Sequence, residues 1–449
     1  MAPAHPTPGR PASVLATSDG GLDLAPFRGV RYAVQDAEQL ARLTCPPYDV
    51  IDERQHRALE EADPHNVVRL ILPRADGSGP TSAGSGAARL LRSWRDSGVL
   101  ATDPVPALYV YEMRDQGTSV RGLIGALALR RPETGVVLPH EDTMPGPVRQ
   151  RQDLIAATGA NLEPIYLVAE GAPGASSAAV KDATRDRPLA ALVASDGSEH
   201  RLWGISDPEI LARIHDDLLP RRALIADGHH RYAAYLAHQE QQHGLDAGPG
   251  PWDRGLAFLV DSDIFGAHVH AFHRVVADRA LPEAVEQAGH VFTVTSLAPG
   301  ELGALGWLAE RLASGPAYVL TDGVGSFGLS APNRGLLDRL VPADRSPAWQ
   351  ALDVVALHRV LFTEIWRLRV SEESVRYVAD AAAAVELARE MAGFAVLLNP
   401  TPLETVLTVA GAGERMPQKS TLFTPKPRTG LVLRVYDDER STSRDPDRR

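Results

Sequence analysis

Apolar residues recur every three or four positions along several stretches of this chain, the spacing that gathers them on one face of a helix. This pattern predicts helices over residues 87–97, 208–218, 230–243, 302–314, 354–366 and 382–391. Because these stretches occur in both halves of the chain, we expect amphipathic helices to pack on a core throughout its length.

Shorter apolar runs lie between the helical stretches and predict strands. They cover residues 107–112, 122–129, 164–168, 200–205, 223–226, 256–260, 317–320, 394–398 and 431–435. Strands and helices interleave irregularly, and several strands follow one another directly. The order therefore favours an α+β fold with a mixed-sheet α/β architecture over a regular parallel barrel.

Polar segments divide the chain. Residues 1–22 and 437–449 lack apolar periodicity and are predicted to be disordered tails. Stretches rich in Gly, Ser, Ala and Pro predict flexible connections at residues 74–86, 171–188 and 244–251. We predict a core over residues 23–290 and a C-terminal α/β portion over residues 291–436 that completes the functional site.

Composition narrows the class of protein. The 449 residues are 44% hydrophobic and 23% charged, which is typical of a globular protein of two or three domains. The longest apolar runs, such as residues 123–129, are far shorter than the roughly 20 residues of a membrane helix. The N-terminus shows no apolar signal segment, and the single Cys45 excludes a disulfide framework. These features predict a cytoplasmic protein without a membrane partner.

Charge argues against nucleic acid as a partner. The formal net charge is -11, whereas proteins that bind duplex DNA usually present a basic surface. Of the 46 Lys and Arg residues only three are lysines, at positions 181, 419 and 426. Arginine is thus the ordinary cation of this chain, so a lysine inside a motif carries more information than usual.

The segment around Asp227 is the most informative motif. The run 223–226 predicts a short buried strand, Asp227 and Gly228 a turn, and the following residues a helix. His229, His230 and Arg231 would then lie beside the unpaired N–H groups at the helix N-terminus, which attract anions. Gly228 would let a phosphate approach the backbone, and Arg231 would hold it bidentately. The alternative is a merely polar surface.

The run Gly-His-His-Arg-Tyr-x-Ala resembles the Gly-x-His-Arg-x-x-Ala loop of the ParB/sulfiredoxin superfamily. In that superfamily the loop cradles nucleotide phosphates in sulfinic-acid repair enzymes, in CTP-binding ParB proteins and in free-serine kinases. The resemblance implies a nucleotide-binding core that uses Asp227, Gly228, His229, His230 and Arg231.

Other blocks are similar to a bacterial and archaeal family known as domain of unknown function 1015. The blocks include CPPYDVI at residues 45–51, PHEDT at 139–143, DGHHRY at 227–232 and ERMPQKST at 414–421. They occur in the expected order between residues 24 and 436. The chain departs from the family pattern at Val148, Gln150 and Ala233, where Lys, Asp and Glu are usual, which implies an altered substrate or reduced catalysis.

Two blocks carry candidate catalytic carboxylates. Asp49 follows Tyr48 in a rigid Pro-Pro turn and is either a general base, a magnesium ligand or the cap of the next helix. Glu141 follows a strand-like run, and we consider it a general base with His140 as its orienting partner. A structural salt bridge is the alternative for Glu141. His230 is a further catalytic candidate.

The remaining candidates are binding residues. Arg415 and Lys419 lie in a Pro-interrupted loop and are predicted to contact phosphate or carboxylate. Tyr48, Asn161 and Arg69 are predicted to contact the substrate, although Asn161 could equally cap a turn.

Metal and thiol chemistry are less favoured. His268 and His270 would share one face of a strand near His273, but no carboxylate partner for a zinc site is evident. Cys45 precedes two prolines and has no evident histidine partner, so a buried, unreactive thiol is expected.

Together these features predict a phosphotransferase that acts on a small hydroxylated metabolite, with free serine as one candidate. The donor would be ATP, ADP or pyrophosphate, bound with Mg²⁺ on the Asp227–Arg231 loop, and Glu141 or Asp49 would take the proton of the acceptor hydroxyl. The alternatives are a non-catalytic nucleotide-binding or sensing protein and a metal-dependent phosphohydrolase.

Overall fold

A computed structural model of the chain describes residues 20–74, 82–115, 117–170, 173–298, 300–371 and 373–440. The strands are β1 Leu24–Ala25, β2 Val30–Tyr32, β3 Leu100–Thr102, β4 Leu108–Asp115, β5 Thr118–Ala128, β6 Val137–Leu138, β7 Ala160–Asn161, β8 Ile165–Ala169, β9 Ala190–Val193, β10 Glu199–Ile205, β11 Ala223–Asp227, β12 Arg254–Asp261, β13 His268–His270, β14 His273–Val276, β15 Thr293–Ser296, β16 Tyr318–Thr321, β17 Ser326–Ser330, β18 Val375–Val378, β19 Phe394–Leu398, β20 Leu422–Thr424 and β21 Arg434–Val435.

The helices are α1 Ala37–Leu43, α2 Glu53–Ala62, α3 Val68–Ile71, α4 Ser82–Asp96, α5 Pro145–Thr158, α6 Ala175–Ala183, α7 Pro208–Leu218, α8 His229–Gly244, α9 Ser262–Phe265, α10 Leu281–Ala288, α11 Glu301–Ala309, α12 Arg334–Leu340, α13 Pro347–Gln350, α14 Asp353–Val355, α15 Ala381–Glu390, α16 Leu403–Gly411 and α17 Asp437–Arg440. A π-helix continues α14 over Ala356–Ile365. Each predicted helix and strand overlaps one of these elements. In the described part of the chain, no helix combines the length and apolar character needed to cross a membrane.

The larger sheet carries the loop before α8. It has nine strands, in the order β6-β11-β8-β12-β5-β4-β10-β9, with β1 paired to β5. Strands β11 and β6 are parallel, as are β12 and β8, whereas β4, β5 and β10 pair antiparallel. Its strands β8, β11 and β12 are apolar and almost entirely buried, since the sheet is covered on both faces. The predicted α+β fold with a mixed sheet is confirmed.

The second sheet has six antiparallel strands, in the order β15-β17-β16-β19-β14-β18. It includes β14, which begins at His273, so the second sheet draws on residues before the predicted division at 290/291. The division into domains at 290/291 itself stays a prediction. One continuous set of buried apolar side chains joins the two sheets.

Helix α5 is the main element that periodicity missed. It begins at Pro145, a position where proline fits because the first helical N–H needs no partner. Its buried face includes Arg151 beside Leu154 and Ile155, so the apolar stripe is interrupted by a cation. Helix α5 packs along α8 and so forms one wall of the region described below.

Two predicted linkers and both predicted tails need correction. Helix α6 occupies part of the predicted connection 171–188, because its alanines favour helix and Ser177 bonds back to Gly174. Helix α4 begins inside the predicted connection 74–86, of which residues 75–81 lie outside the described part. Residues 437–440 form α17 and Leu22 is buried, so both tails were predicted too long. The rest of those tails, residues 1–19 and 441–449, also lies outside it.

Helix α17 is held by ion pairs that sequence did not indicate. Asp438 lies 2.7 Å from the Arg95 guanidinium, and Glu439 lies 2.6 Å from that of Arg434. Arg434 is fully buried, and such a group needs a charged or polar partner. The acidic run after β21 therefore serves to neutralise Arg434.

Candidate functional site

The loop between β11 and α8 has the turn that the sequence predicted. Gly228 adopts φ +96, a left-handed conformation that favours glycine, and a Cβ there would lie 3.1 Å from Nε of Arg231. Helix α8 begins at His229, so the first N–H groups of the helix have no partner within it. These N–H groups and the helix dipole favour an anion at this end.

Arg231 does not take the orientation that we predicted. Its side chain is buried, Nη1 donates to the carbonyl of Pro164, and Nη2 donates to the Asp227 carboxylate. The guanidinium therefore points into the protein interior and holds the loop through its hydrogen bonds to Pro164 and Asp227. This orientation corrects the prediction that Arg231 holds a phosphate bidentately.

Lys426 contacts two carboxylates of this region, those of Asp49 and Asp227. Its Nζ donates to the Asp49 carboxylate and lies 3.0 Å from Oδ1 of Asp227. Burial alone would lower the pKa of the Lys426 ammonium, but Asp227 and Asp49 raise it above its ordinary value. Sequence reasoning did not place Lys426 in the site, although the scarcity of lysine in this chain was a signal that could have done so.

Asp49 lies in a 3₁₀ turn, Tyr48–Val50, that is anchored to the core. The backbone N–H of Tyr48 donates to buried Glu163 at 3.1 Å, and the guanidinium of Arg151 lies 4.4 Å from the Tyr48 ring. Burial would raise the pKa of Asp49, but the charges of Lys426 and Arg231 lower it below its usual value. Asp49 is thus an ionised, paired carboxylate and a weak base at neutral pH.

Glu141 has the opposite electrostatic setting. Its half-buried carboxylate accepts a hydrogen bond from the backbone N–H of Ser420 at 3.3 Å. Burial raises the pKa of Glu141 to about 7, against the lowering effect of the Lys419 charge and the Ser420 hydrogen bond. The Asp227 charge raises it further. A carboxyl group with this pKa can accept and release a proton near neutral pH.

Lys419 is placed beside Glu141 by the second sheet. Lys419 is exposed and adopts φ +58, and its carbonyl accepts a hydrogen bond from Nη2 of Arg274 at 2.9 Å. Arg274 lies on β14 and is fully buried. The Lys419 charge affects the pKa of both Glu141 and His230, so these three groups lie near one another.

Three histidines, His140, His229 and His230, form a neutral cluster between β6 and α8. We call it the histidine cluster. Nε2 of His229 accepts from the backbone N–H of His140 at 3.3 Å, and Nε2 of His230 accepts from that of Met144 at 3.1 Å. Burial lowers the pKa of His229 and of His230 below the ordinary value. The unfavourable charge that two histidinium groups would place at a helix N-terminus is thereby avoided.

His140 does not orient Glu141. Its Nε2 lies 2.7 Å from Oγ1 of Thr421, and its ring packs edge-on against His229 at 4.7 Å. Its carbonyl accepts from the N–H of Met416, so His140 ties the loop of residues 414–421 to α8. The prediction that His140 is the orienting partner of Glu141 is corrected. Instead, the backbone N–H of Ser420 donates a hydrogen bond to the Glu141 carboxyl group, and the Lys419 charge lowers its pKa.

The stability of the protein is expected to fall in acid because of His140. Burial lowers the pKa of His140 to about 4, below the roughly 6.5 of an exposed imidazole. Between these values the unfolded chain binds the extra proton, so the free energy of unfolding decreases as the pH falls from 6.5 to 4. Urea titrations of His140→Gln should show a pH slope smaller by about 1.4 kcal/mol per unit. The exposed His290→Gln serves as control; equal slopes in both variants would contradict the assignment.

Two predicted substrate residues have structural roles. Asn161 is buried, donates from Nδ2 to Tyr436, and accepts at Oδ1 from Leu256 N–H and from Arg434 Nη1. Arg69 donates from Nη1 and Nη2 to the side chain and carbonyl of Glu60. The polar groups of both side chains form hydrogen bonds within the fold. The prediction that they contact the substrate is therefore corrected.

Replacing Asn161 by Ala should therefore reduce stability and leave ligand affinity unchanged. The substitution removes the acceptor of the buried Leu256 N–H and one of the two acceptors of Arg434 Nη1, which costs about 1–3 kcal/mol in the free energy of unfolding. Urea denaturation measures this loss. A substrate-binding role predicts the reverse, lost affinity at unchanged stability.

Other predicted groups are placed as follows. Arg415 lies near the histidine cluster, since its charge lowers the pKa of His140 and His229. Cys45 is buried and free, and burial raises the pKa of its thiol, as expected of an unreactive cysteine. His268 and His270 are exposed on β13, and within the described part of the chain no group of three or more metal-binding side chains is found.

The residues present do not form a resident magnesium site. Magnesium in proteins is usually held by one or two carboxylates together with substrate phosphates. The carboxylates of Asp49 and Asp227 already enclose the ammonium group of Lys426. A magnesium ion would therefore have to arrive with a polyphosphate, and no step below depends on it.

The three departures from the family pattern lie on α5 and α8. Val148 packs against the core, and Gln150 lines a cavity of about 800 Å³ between α2, α4 and α5 that also contains Arg151. Ala233 lies in the first turns of α8 and is half-buried. Arg151 lines the cavity and stacks on the Tyr48 ring. Tyr48 therefore lies between the cavity and the Asp227 loop.

No curated protein sequence matches this chain significantly. Among solved structures it is similar to a mutant free serine kinase in complex with ADP, with 14% identity, a TM-score of 0.34, and 67% of this chain and 90% of that chain covered. It is also similar to C-terminally truncated SbnI from Staphylococcus aureus, with 12% identity, a TM-score of 0.35, and coverage of 71% and 93%. Likeness at these TM-scores supports no statement about activity.

The family comparison is decisive. The model of the family described as protein of unknown function (DUF1015) matches residues 24–355, well over half of the chain. The match begins at the first residue of β1 and ends with α14, so it spans the larger sheet, Glu141, and the Asp227 loop. This protein therefore belongs to the DUF1015 family, as its motifs predicted.

Proposed function

We propose that this protein is a phosphotransferase that moves a phosphoryl group from ATP, ADP or pyrophosphate to a small hydroxylated metabolite, with free serine as one candidate acceptor. The observation that carries the proposal is the Glu141 carboxyl, whose pKa is raised to about 7 beside Lys419 and near Asp227. General bases work best when their pKa lies near the operating pH.

The surroundings of Glu141 suit a polyphosphate. The N-terminus of α8 presents backbone N–H groups, and Lys419, Arg415 and Lys426 supply cations around it. Phosphoryl transfer needs positioned positive charge more than covalent chemistry from the protein. Because Arg231 is buried, we assign the direct phosphate contacts to Lys419 and the backbone, and to Arg231 the support of the loop.

In the proposed reaction the acceptor hydroxyl oxygen attacks the terminal phosphorus of the donor. A new O–P bond forms while the bond between that phosphorus and the bridging oxygen breaks, and the bond electrons leave with the shortened donor. The hydroxyl proton passes to the Glu141 carboxylate. Lys419 lies beside this carboxylate and would stabilise the charge that develops on the phosphoryl oxygens.

A ³¹P NMR time course with Mg²⁺ tests the proposal. ATP, ADP and pyrophosphate are each incubated with and without serine and a panel of other hydroxylated metabolites. A new phosphomonoester that needs an acceptor, and that is lost in Lys419→Met, supports the kinase. Lys181→Met is the matched control, because Lys181 is also an exposed lysine but lies on α6.

A second function, nucleotide binding without catalysis, is favoured by one observation. Asp49 and Asp227 are both neutralised by Lys426, and Asp227 also by Arg231, so neither carboxylate is a free base or metal ligand. Binding of a donor without turnover under any acceptor would support this alternative. Donor hydrolysis without an acceptor would instead support a phosphohydrolase.

A further inference from the structure

A groove beside the Tyr48–Val50 turn, on the side away from Lys426, holds a buried guanidinium that forms no ion pair with any carboxylate of the described residues. The groove has a volume of about 570 Å³ and lies between α1, α2 and the end of β9. Its walls include Ala41, Ile51, Ala58, Leu59 and Val193, and Arg428 also lines it. We call it the Arg428 groove.

Arg428 is 9% exposed, and its hydrogen bonds go only to neutral oxygens. Nε donates to the Thr44 hydroxyl at 2.7 Å, and Nη2 donates to the carbonyls of Thr44 and Ala41 at 2.9 and 3.0 Å. Within the described residues, Nη1 has no hydrogen-bond acceptor, and no carboxylate oxygen lies within ion-pair distance of the guanidinium. A cation this buried is normally paired. Burial lowers the pKa of Arg428 and the Asp196 charge offsets this only in part, so the guanidinium lacks a directly paired carboxylate among the described residues.

We propose that the Arg428 groove binds a small molecule with one carboxylate and a short aliphatic chain. Arginine matches carboxylates well, and a charge-assisted bond from Nη1 would complete its hydrogen bonding. The apolar walls suit a hydrocarbon chain, and the volume falls within the usual range of small-molecule sites. Glu38 and Arg42 line the groove with opposite charges, which leaves the single charge of Arg428 to match one carboxylate better than a doubly charged phosphomonoester.

The groove is separate from the candidate active site. Pro46 and Ile51 line it from either side of the turn, whereas Asp49 of the same turn contacts Lys426 on the other face. Lys419 and Glu141 do not line the groove. Binding here therefore does not depend on the proposed phosphotransferase function.

Isothermal titration calorimetry with hexanoate tests this site. Hexanamide lacks the charge, acetate lacks the chain, and hexyl phosphate carries the second charge. We expect hexanoate to bind saturably and each of the other three to bind at least about tenfold more weakly, because each loses the charged hydrogen bond, the apolar contact or the charge match. Hexanamide binding as tightly as hexanoate, or no saturable binding of hexanoate, would overturn the proposal.

Variants locate the binding. Because Arg428 also holds Thr44 and Ala41, Arg428→Gln changes local structure, so the test rests on Ala58→Trp, which fills the groove from an exposed position on α2. We expect Ala58→Trp to weaken hexanoate binding at least about tenfold, as loss of the apolar contact would. Glu61→Trp, exposed on the same helix outside the groove, should bind like the parent protein. Equal binding by all three proteins would place hexanoate elsewhere and contradict the site.

A final control separates the two proposals. Lys419→Met should bind hexanoate with unchanged affinity, even though it is expected to abolish phosphoryl transfer. Loss of hexanoate binding in Lys419→Met would show that the carboxylate binds in the candidate active site, and the Arg428 groove would then be excluded.

Discussion

Glu141→Gln is expected to lower the rate of phosphoryl transfer by about 10²–10⁴-fold, because an amide cannot take up the proton of the attacking hydroxyl group. The protein should stay folded. The glutamine keeps the size of the side chain and can still accept the hydrogen bond from Ser420. Initial rates from ³¹P NMR or a coupled assay measure the effect. The exposed neighbour Asp142→Asn is the control and should retain full activity.

The pH dependence of the parent enzyme is part of the same prediction. Burial raises the pKa of Glu141 to about 7, so the carboxylate form that acts as base becomes populated as the pH rises through that value. Activity should therefore increase between pH 6 and 8. In the inactive Lys419→Met variant the pKa of Glu141, read from the ¹³C NMR titration of its carboxyl group, should be higher, since the Lys419 charge lowers it. An unchanged pKa in that variant, or more than a tenth of the activity in Glu141→Gln, would argue against Glu141 as the base.

Asp227→Asn is expected to cause the largest loss of stability among the site variants, about 3–5 kcal/mol in the free energy of unfolding. Asp227 is the only carboxylate in the described residues that forms an ion pair with the buried Arg231. Its replacement leaves that guanidinium without an ion-pair partner in the interior, where only the charges of Glu163 and Asp49 still act on it. It also removes one partner of Lys426. Equilibrium urea denaturation at neutral pH measures the change.

Asp49→Asn is the matched control for this loss. Asp49 shares Lys426 with Asp227, but its side chain is 33% exposed, and its loss leaves Lys426 paired with Asp227. We expect a cost of about 1 kcal/mol or less, as for other partly exposed ion pairs. Similar losses for Asp49→Asn and Asp227→Asn would show that the buried guanidinium does not determine the stability of the loop.

A double variant separates the charge from the fold. Adding Arg231→Met to Asp227→Asn removes the uncompensated cation and replaces it with an apolar side chain of similar length. Because replacing a buried ion pair by apolar groups is often nearly neutral, most of the stability should return. A double variant as unstable as Asp227→Asn alone would mean that the hydrogen bond from Arg231 to Pro164, and not the pairing of charges, holds this loop.

The sequence predicted most of the regular elements because their residues report local physics. Strands β8, β11 and β12 are continuous apolar runs, and α7 and α15 show clear apolar spacing. Periodicity did not predict α5 because a buried arginine interrupts its apolar face. It did not predict α6 because a stretch of small residues is also typical of a linker. The turn at Asp227-Gly228 was predictable, since a left-handed position before a helix favours glycine.

What the sequence could not decide is the direction and charge state of the site residues. Lys426 meets Asp49 from 377 positions away, and Asn161 is satisfied by residues as distant as Arg434 and Tyr436. The inward orientation of Arg231 depends on the carbonyl of Pro164, which reaches it only when β8 and β11 pair. The raised pKa of Glu141 depends on burial against the loop of residues 414–421.

The sequence by itself thus determined the α+β class, the family, and the residues from which a site could be assembled. The tertiary structure alone decided which of those residues face one another, which are consumed in holding the fold, and which carboxyl group can exchange a proton near neutral pH. The physical reason is that secondary structure follows from side-chain pattern over a few residues, whereas desolvation and charge pairing depend on neighbours that only folding brings together.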